Sequence, residues 1–366
     1  MSQPIRVLVV DDSALMRKLL TQVLESDHSI QVVGTAMDGS FGLKKIEELK
    51  PHVITLDLEM PRMDGLEMLR EITRKHRVPV IVVSAHSKQG AYSTFRALAL
   101  GAFDFVAKPK DAVSGNLGEI AAQLTSKIKA AAAAGAPRLL TLPPAERKAH
   151  KPAIQQRKPA TKVVAIGVST GGPNALQYVF SQLPGDFPGS ILVVQHMPEG
   201  FTETFARRLD ECSAIEVKEA QSGDLLLAGR ALICPGDRHL SAKRMPLGDV
   251  AVISDHPRVN GHRPSVDILF ESVAREFGSN AIAVVMTGMG EDGARGMAAV
   301  KAAGGLTMAQ SPESCVVDGM PRAAIEKGFA TRVVPLDALA NALYAQCVRE
   351  SGSQDSNPIS SHPAVK

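Results

Sequence analysis

Apolar runs and amphipathic stretches alternate along the first third of the chain. Residues 7–10, 53–56 and 80–83 are short, continuous and largely β-branched, which predicts buried strands. Between the first two, Met16, Leu19, Leu20, Val23 and Leu24 recur at i, i+3, i+4, i+7 and i+8, predicting a helix with Ser13 as its N-cap. Such repetition is satisfied by a parallel sheet with helices on both faces. A second alternating region follows. It predicts strands at 163–166, 191–194, 231–233, 251–253, 283–285 and 332–334, and helices at 174–182, 203–209, 266–276 and 294–303. Between the two regions, a helical pattern through Ile120, Leu124 and Ile128 fades into 130–134. Residues 137–162 are rich in proline, lysine and arginine and cannot build a core. The expected division is a first domain at 1–125, a linker at 126–161, a second α/β domain at 162–348 with a mainly parallel sheet, and a disordered tail at 349–366.

Composition agrees with two cores, since 366 residues exceed one ordinary domain and 45% of them are hydrophobic. A net charge of +3 and the lack of tryptophan argue against nucleic acid as a partner. Cys212, Cys234, Cys315 and Cys347 form no CxxC pair and read as reduced thiols in the core. No apolar run approaches the ~20 residues of a membrane helix, so the chain is expected to be soluble and cytoplasmic, with no membrane insertion.

The chemistry gathers at strand ends. Asp11 and Asp12 follow the first strand, Asp57 ends another, Ser84 ends the next, and Lys108 follows Phe105. The carboxyl ends of parallel strands share one edge, so these groups converge there. Clustered carboxylates repel one another unless a cation joins them, and hard oxygen donors suit Mg²⁺. Asp57 is then a candidate nucleophile towards a phosphoryl group. Taken singly, each acid could be an ordinary helix cap. The segments Val9-Val-Asp-Asp-Ser13, Leu56-Asp-Leu-Glu-Met-Pro-Arg-Met-Asp-Gly65, Val83-Ser-Ala85 and Lys108-Pro109 resemble response-regulator receiver domains, with a doubly wound parallel sheet. That resemblance implies phosphorylation of Asp57, Mg²⁺ held with Asp11 and Asp12, and switch positions at Ser84 and Phe105.

In the second region, Gly167-Val-Ser-Thr-Gly171 fits G-x-S-x-G between a strand and a helix, the setting of a nucleophile elbow. Alone, the motif serves a nucleophile or a plain glycine turn. A serine nucleophile needs a histidine base and an orienting carboxylate. His196 follows the 191–194 strand, and Asp292 lies in the glycine-rich loop after 283–285, so both share the edge of Ser169. His239, His256 and His262 are rival bases; Asp237 and Asp318 are rival acids, and Glu291 should point elsewhere. The order Ser, His, Asp differs from the Ser, Asp, His of α/β-hydrolases. Ala165-Ile-Gly-Val-Ser-Thr-Gly-Gly172, Gln195-His-Met-Pro198, Cys234-Pro-Gly-Asp237, His262-Arg-Pro-Ser-Val-Asp267, Thr287-Gly-Met-Gly-Glu-Asp-Gly293 and Cys315-Val-Val-Asp-Gly-Met-Pro321 resemble, in order, the chemotaxis protein-glutamate methylesterase (CheB) family.

The resemblance implies a Ser169, His196, Asp292 triad that demethylates glutamate methyl esters on chemoreceptors and deamidates receptor glutamines. It needs no cofactor for hydrolysis. A backbone N–H at Met289 would hold the oxyanion, with Thr170 and Arg263 lining the cleft; Met197 and Met289 could equally be core. A histidine kinase would phosphorylate Asp57, and the receiver would then unblock the cleft. A DNA-binding regulator is disfavoured because no helix-turn-helix pattern occurs, and a non-catalytic scaffold because the triad is complete.

Overall fold

The computed structural model describes residues 3–108, 117–135 and 158–348. The first unit is built from β1 (Ile5–Val10), α1 (Ala14–Glu25), β2 (Ile30–Ala36), α2 (Gly39–Leu49), β3 (Val53–Asp57), α3 (Gly65–Glu71), β4 (Val80–Ser84), α4 (Lys88–Ala99), β5 (Asp104–Ala107) and α5 (Leu117–Ala134). Its strands pair in parallel in the order β2-β1-β3-β4-β5. Direction reverses between β1 and β3, so Asp11 and Asp57 flank the crevice where such sheets bind ligands. Ser13 caps α1 as expected, its Oγ accepting from Met16 N at 3.3 Å.

The second unit comprises β6 (Val163–Val168), α6 (Gly172–Phe180), β7 (Ser190–Gln195), α7 (Thr202–Cys212), β8 (Glu216–Glu219), β9 (Arg230–Ile233), β10 (His239–Lys243), β11 (Val250–Ser254), α8 (Val266–Phe277), β12 (Ala281–Val285), α9 (Ala294–Ala302), β13 (Leu306–Gln310), α10 (Gly319–Glu326), β14 (Arg332–Val334) and α11 (Leu336–Val348). Seven strands form a parallel sheet in the order β14-β13-β12-β6-β7-β9-β8. Its switch point lies between β6 and β12, the strands that lead to Ser169 and Asp292.

The sequence expectations need several corrections. The 251–253 strand belongs to a separate antiparallel hairpin of β10 and β11. Strand β2 is interrupted by Gly34 next to a register shift, β8 carries a single apolar core residue, Val217, and β13 buries Thr307 and Gln310, so none reads as an apolar run. The first unit does not stop at residue 125: α5 continues to Ala134 and buries Ile128 and Ala131 against the first sheet. The second unit starts before residue 162, because Pro159 already bridges to Leu227 and Ala228 N donates to Lys158 O at 3.0 Å. Residues 136–157 of the expected linker and the whole expected tail lie outside the described residues.

The two units meet through aromatic rings. Phe95 of α4 stacks on Phe205 of α7 with centroids 5.4 Å apart, and Phe105 of β5 lies 4.9 Å from Phe201. These rings belong to one continuous buried cluster that runs from the first sheet to the second. Asn174 Nδ2 donates to Leu98 O at 2.9 Å, and Lys88 pairs with Glu203 at 3.5 Å.

Ile128 is fully buried. Its replacement by alanine should therefore destabilise the first unit by about 2–5 kcal/mol in denaturant unfolding, as for other buried aliphatic deletions. A change near zero would mean that α5 ends before this turn.

Candidate active site

Both sheets deliver polar groups to their carboxyl edges. In the first unit, the ligand atoms of Asp11, Asp12 and Asp57 lie within 4.8 Å of one another. Lys108 Nζ reaches Asp57 at 2.7 Å and Asp11 at 3.1 Å. Burial pushes the Asp11 carboxyl above its ordinary value; Lys108 opposes this and the Asp57 charge adds to it. Burial works against the Lys108 charge, but Asp57 and Asp11 outweigh it and raise its pKa. Asp11 Oδ2 is buried and paired with Lys108 Nζ at 3.1 Å. Three acids beside one lysine leave an excess of negative charge, and their hard oxygen donors fit a divalent cation such as Mg²⁺. Ser84 and Phe105, the expected switch positions, are engaged away from this pocket. Thr94 Oγ1 donates to Ser84 Oγ at 2.7 Å, Ser84 Oγ donates to Gly90 O at 3.2 Å, and Phe105 is turned towards Phe201.

In the second unit, Ser169 follows β6 in a turn whose left-handed residue is Gly171, at φ 78°. Ser169 is not among the residues of positive φ, so the strained serine of a nucleophile elbow is absent here and glycine makes the turn. His196 Nε2 bonds Asp292 Oδ2 at 2.8 Å. That leaves Nδ1 as the nitrogen available to a serine. No Ser169–His196 hydrogen bond forms among the described residues, although both line one cavity of about 680 Å³. Thr170, Met289 and Arg263 line it too. Arg263 is committed to Asp237, with Nε and Nη2 each at 3.0 Å from its carboxylate.

Asp292 is held at the first turn of α8. It accepts from Val266 N at 2.7 Å, Asp267 N at 3.2 Å and Ser265 Oγ at 2.9 Å. Burial alone would raise its pKa, yet the His196 bond and these amides bring it down to about 2. Asp267, in that same turn, returns the arrangement. Its Oδ1 accepts from Gly293 N at 3.0 Å and Gly296 N at 2.8 Å, the first turn of α9. Helix α9 has no side-chain cap of its own, so each helix start is capped by the other's acid. Sequence reasoning passed over Asp267; its only signal was its place in the His262–Asp267 segment.

The rivals have other partners. His239 is fully buried, bonding Pro257 O at 3.2 Å through Nε2 and accepting from Ser265 N through Nδ1. His256 is exposed, Asp318 pairs with Arg322, and Glu291 pairs with Lys327 away from the cavity. His262 stacks on His196 with ring centroids 4.1 Å apart and planes 5° apart. Burial, then the neighbouring His196, lowers its pKa to about 4.

Family models match two stretches of the chain: that of the CheB methylesterase covers residues 164–343, and that of the response regulator receiver domain covers residues 7–114. A protein-glutamate methylesterase/protein-glutamine glutaminase of Koribacter versatilis is 63% identical over 349 residues, 94% of this chain and 96% of that one. One from Symbiobacterium thermophilum is 48% identical over 353 residues, 93% of this chain and 96% of that one. The crystal structure of the Thermotoga maritima CheB methylesterase catalytic domain superposes with a TM-score of 0.50 at 42% identity, covering 51% of this chain and 99% of that one.

His262 gives the site a signature in stability. The folded ring takes its proton only near pH 4, and the unfolded one near 6.5. Between those values the unfolded chain binds more protons, so this contribution is full above about 6.5 and is lost as the pH falls towards 4. The loss amounts to up to about 3 kcal/mol. His262→Phe keeps a ring against His196 but cannot protonate, so its unfolding free energy should fall less across that window. Parallel acid dependence in the two proteins would contradict the half-buried, neutral ring.

Proposed function

The chain belongs to the CheB methylesterase family, with a receiver domain ahead of the catalytic one, and from this we propose that Ser169, His196 and Asp292 hydrolyse glutamate methyl esters, and glutamine amides, on chemoreceptors. The observation that carries the reading is the 2.8 Å bond between His196 and an Asp292 held near a pKa of 2, beside a cavity that also holds Ser169.

Asp292 fixes the imidazole with its proton on Nε2, so Nδ1 takes the Ser169 proton as Oγ attacks the ester carbonyl. Backbone N–H groups of Thr170 and Met289 face the oxyanion. The tetrahedral intermediate collapses, the imidazolium returns the proton to the leaving group, and methanol departs. Water, deprotonated by His196, then attacks the glutamyl ester of Ser169 and frees glutamate. With glutamine the same proton goes to ammonia.

The receiver supplies control. His86, Phe105, Ile120, Ser126 and Lys127 of the first unit wall the same cavity, which supports a receiver that would hinder entry of a folded receptor segment. Asp57, in reach of Lys108, is the proposed acceptor of a phosphoryl group from a histidine kinase. Asp11, Asp12 and Asp57 would hold Mg²⁺, which would offset phosphoryl charge. Phosphorylation then favours the open arrangement to the extent that it stabilises it over the closed one. No helix among the described residues is long and apolar enough to cross a membrane.

Methanol released from methylated receptor is the test. Ser169→Ala and His196→Ala should each lower the turnover by about a thousandfold or more, the double variant should be little worse, and Asp292→Asn should retain more activity than either. A folded His196→Ala protein with most of its activity would remove His196 from the mechanism. Asp57→Ala should neither incorporate phosphate nor respond to a phosphodonor. Undiminished labelling would move the phosphorylation site elsewhere.

A further inference from the structure

Gln195 ends β7 with its side chain buried rather than in the cleft, only 3% exposed. Its Nε2 donates to two main-chain carbonyls, that of Ser169 at 3.0 Å and that of His196 at 3.2 Å. One side-chain amide thus ties the backbone of the nucleophile to that of the base, across β6 and β7. Its orientation is fixed, because the reverse one would set Oε1 against two carbonyl oxygens. The cost appears at the other end, where Oε1 is buried with no hydrogen-bond partner. That oxygen packs on Gly172, where an added Cβ would lie 2.1 Å away. Gly172 therefore makes room for the amide, and its own N–H gives the Ser169 carbonyl a second hydrogen bond at 2.8 Å.

The Ser169 carbonyl and the Thr170 N–H belong to one planar trans peptide. Pinning the carbonyl therefore fixes the N–H in the opposite direction, on a residue that lines the cavity. Among the described residues no backbone acceptor takes this N–H. We propose that Gln195 is a positioning residue for the reaction. It holds the Ser169–Thr170 peptide so that its N–H faces the oxyanion, and it sets the spacing between nucleophile and base. This rests on the hydrolase reading above; Gln195 itself touches no substrate.

The experiment measures methanol release by the phosphorylated full chain, with turnover expressed per serine labelled at the end point by a fluorophosphonate. Gln195→Met keeps the volume and loses the donor. Its kcat per labelled site should fall by about 100-fold, as for a displaced catalytic group, with KM within about twofold of wild type. Gly172→Ala leaves Gln195 in the chain but crowds its amide, so it should lower kcat in the same way. The double variant should be no worse than the poorer single one. A purely structural role would reduce the number of labelled sites and leave kcat per site unchanged. That result, in either variant, would overturn the assignment. Methanol release undiminished in Ser169→Ala would instead overturn the hydrolase reading, and this assignment with it.

Discussion

A buried carboxylate survives only where donors replace its water, and the catalytic unit depends on how Asp292 finds them. The first turn of α8 presents unpaired amides to it, while Asp267 from that same turn satisfies the start of α9. The two helices are thereby locked end to end by a pair of exchanged acids. The loop that carries Asp292 leads directly into α9, so its position is set by the same exchange. Asp292 stays ionised, and the His196 imidazole bonded to it is held by a structure that extends through two helices.

The same edge explains the control. A parallel sheet offers its chemistry at one end of its strands, and that end must be open for a macromolecular substrate. Here the cavity at that end is walled in part by another α/β unit, whose own acidic pocket lies at the end of its own sheet. The connection runs along α4. Thr94 bonds the hydroxyl of Ser84, Phe95 follows it in the chain and stacks on Phe205, and Leu98 O accepts from Asn174 of α6. A change at Ser84 is therefore one helical turn from the catalytic domain. The apolar contact is made by four aromatic rings.

Much of the site was legible because strand ends are legible. Asp57, Ser169 and His196 each close or follow a run of buried residues, and Asp292 sits in a glycine-rich loop after one. Gln195 and Asp267 were not singled out because they act on backbone carbonyls and amides, which leave no letter in a sequence. Phe201 and Phe205 are spaced like ordinary core residues of α7, and nothing in their pattern says that another domain completes the core. The end of the first unit was missed because the alanines of α5 carry a weak apolar stripe, although Ala131 is fully buried. Strand β8 was missed because an edge strand with one buried side chain has no apolar run to display.

Ser169, the proposed nucleophile, lines a cavity that residues of the receiver also wall. The rate at which a fluorophosphonate labels Ser169 in the intact chain tests this directly, with the small phosphodonor acetyl phosphate and Mg²⁺ either present or absent and with Ser169→Ala as the blank. Labelling should be slow in the unphosphorylated protein and should accelerate on phosphorylation, with no acceleration in Asp57→Ala. Equal labelling rates in the phosphorylated and unphosphorylated wild type would contradict a receiver that covers the site.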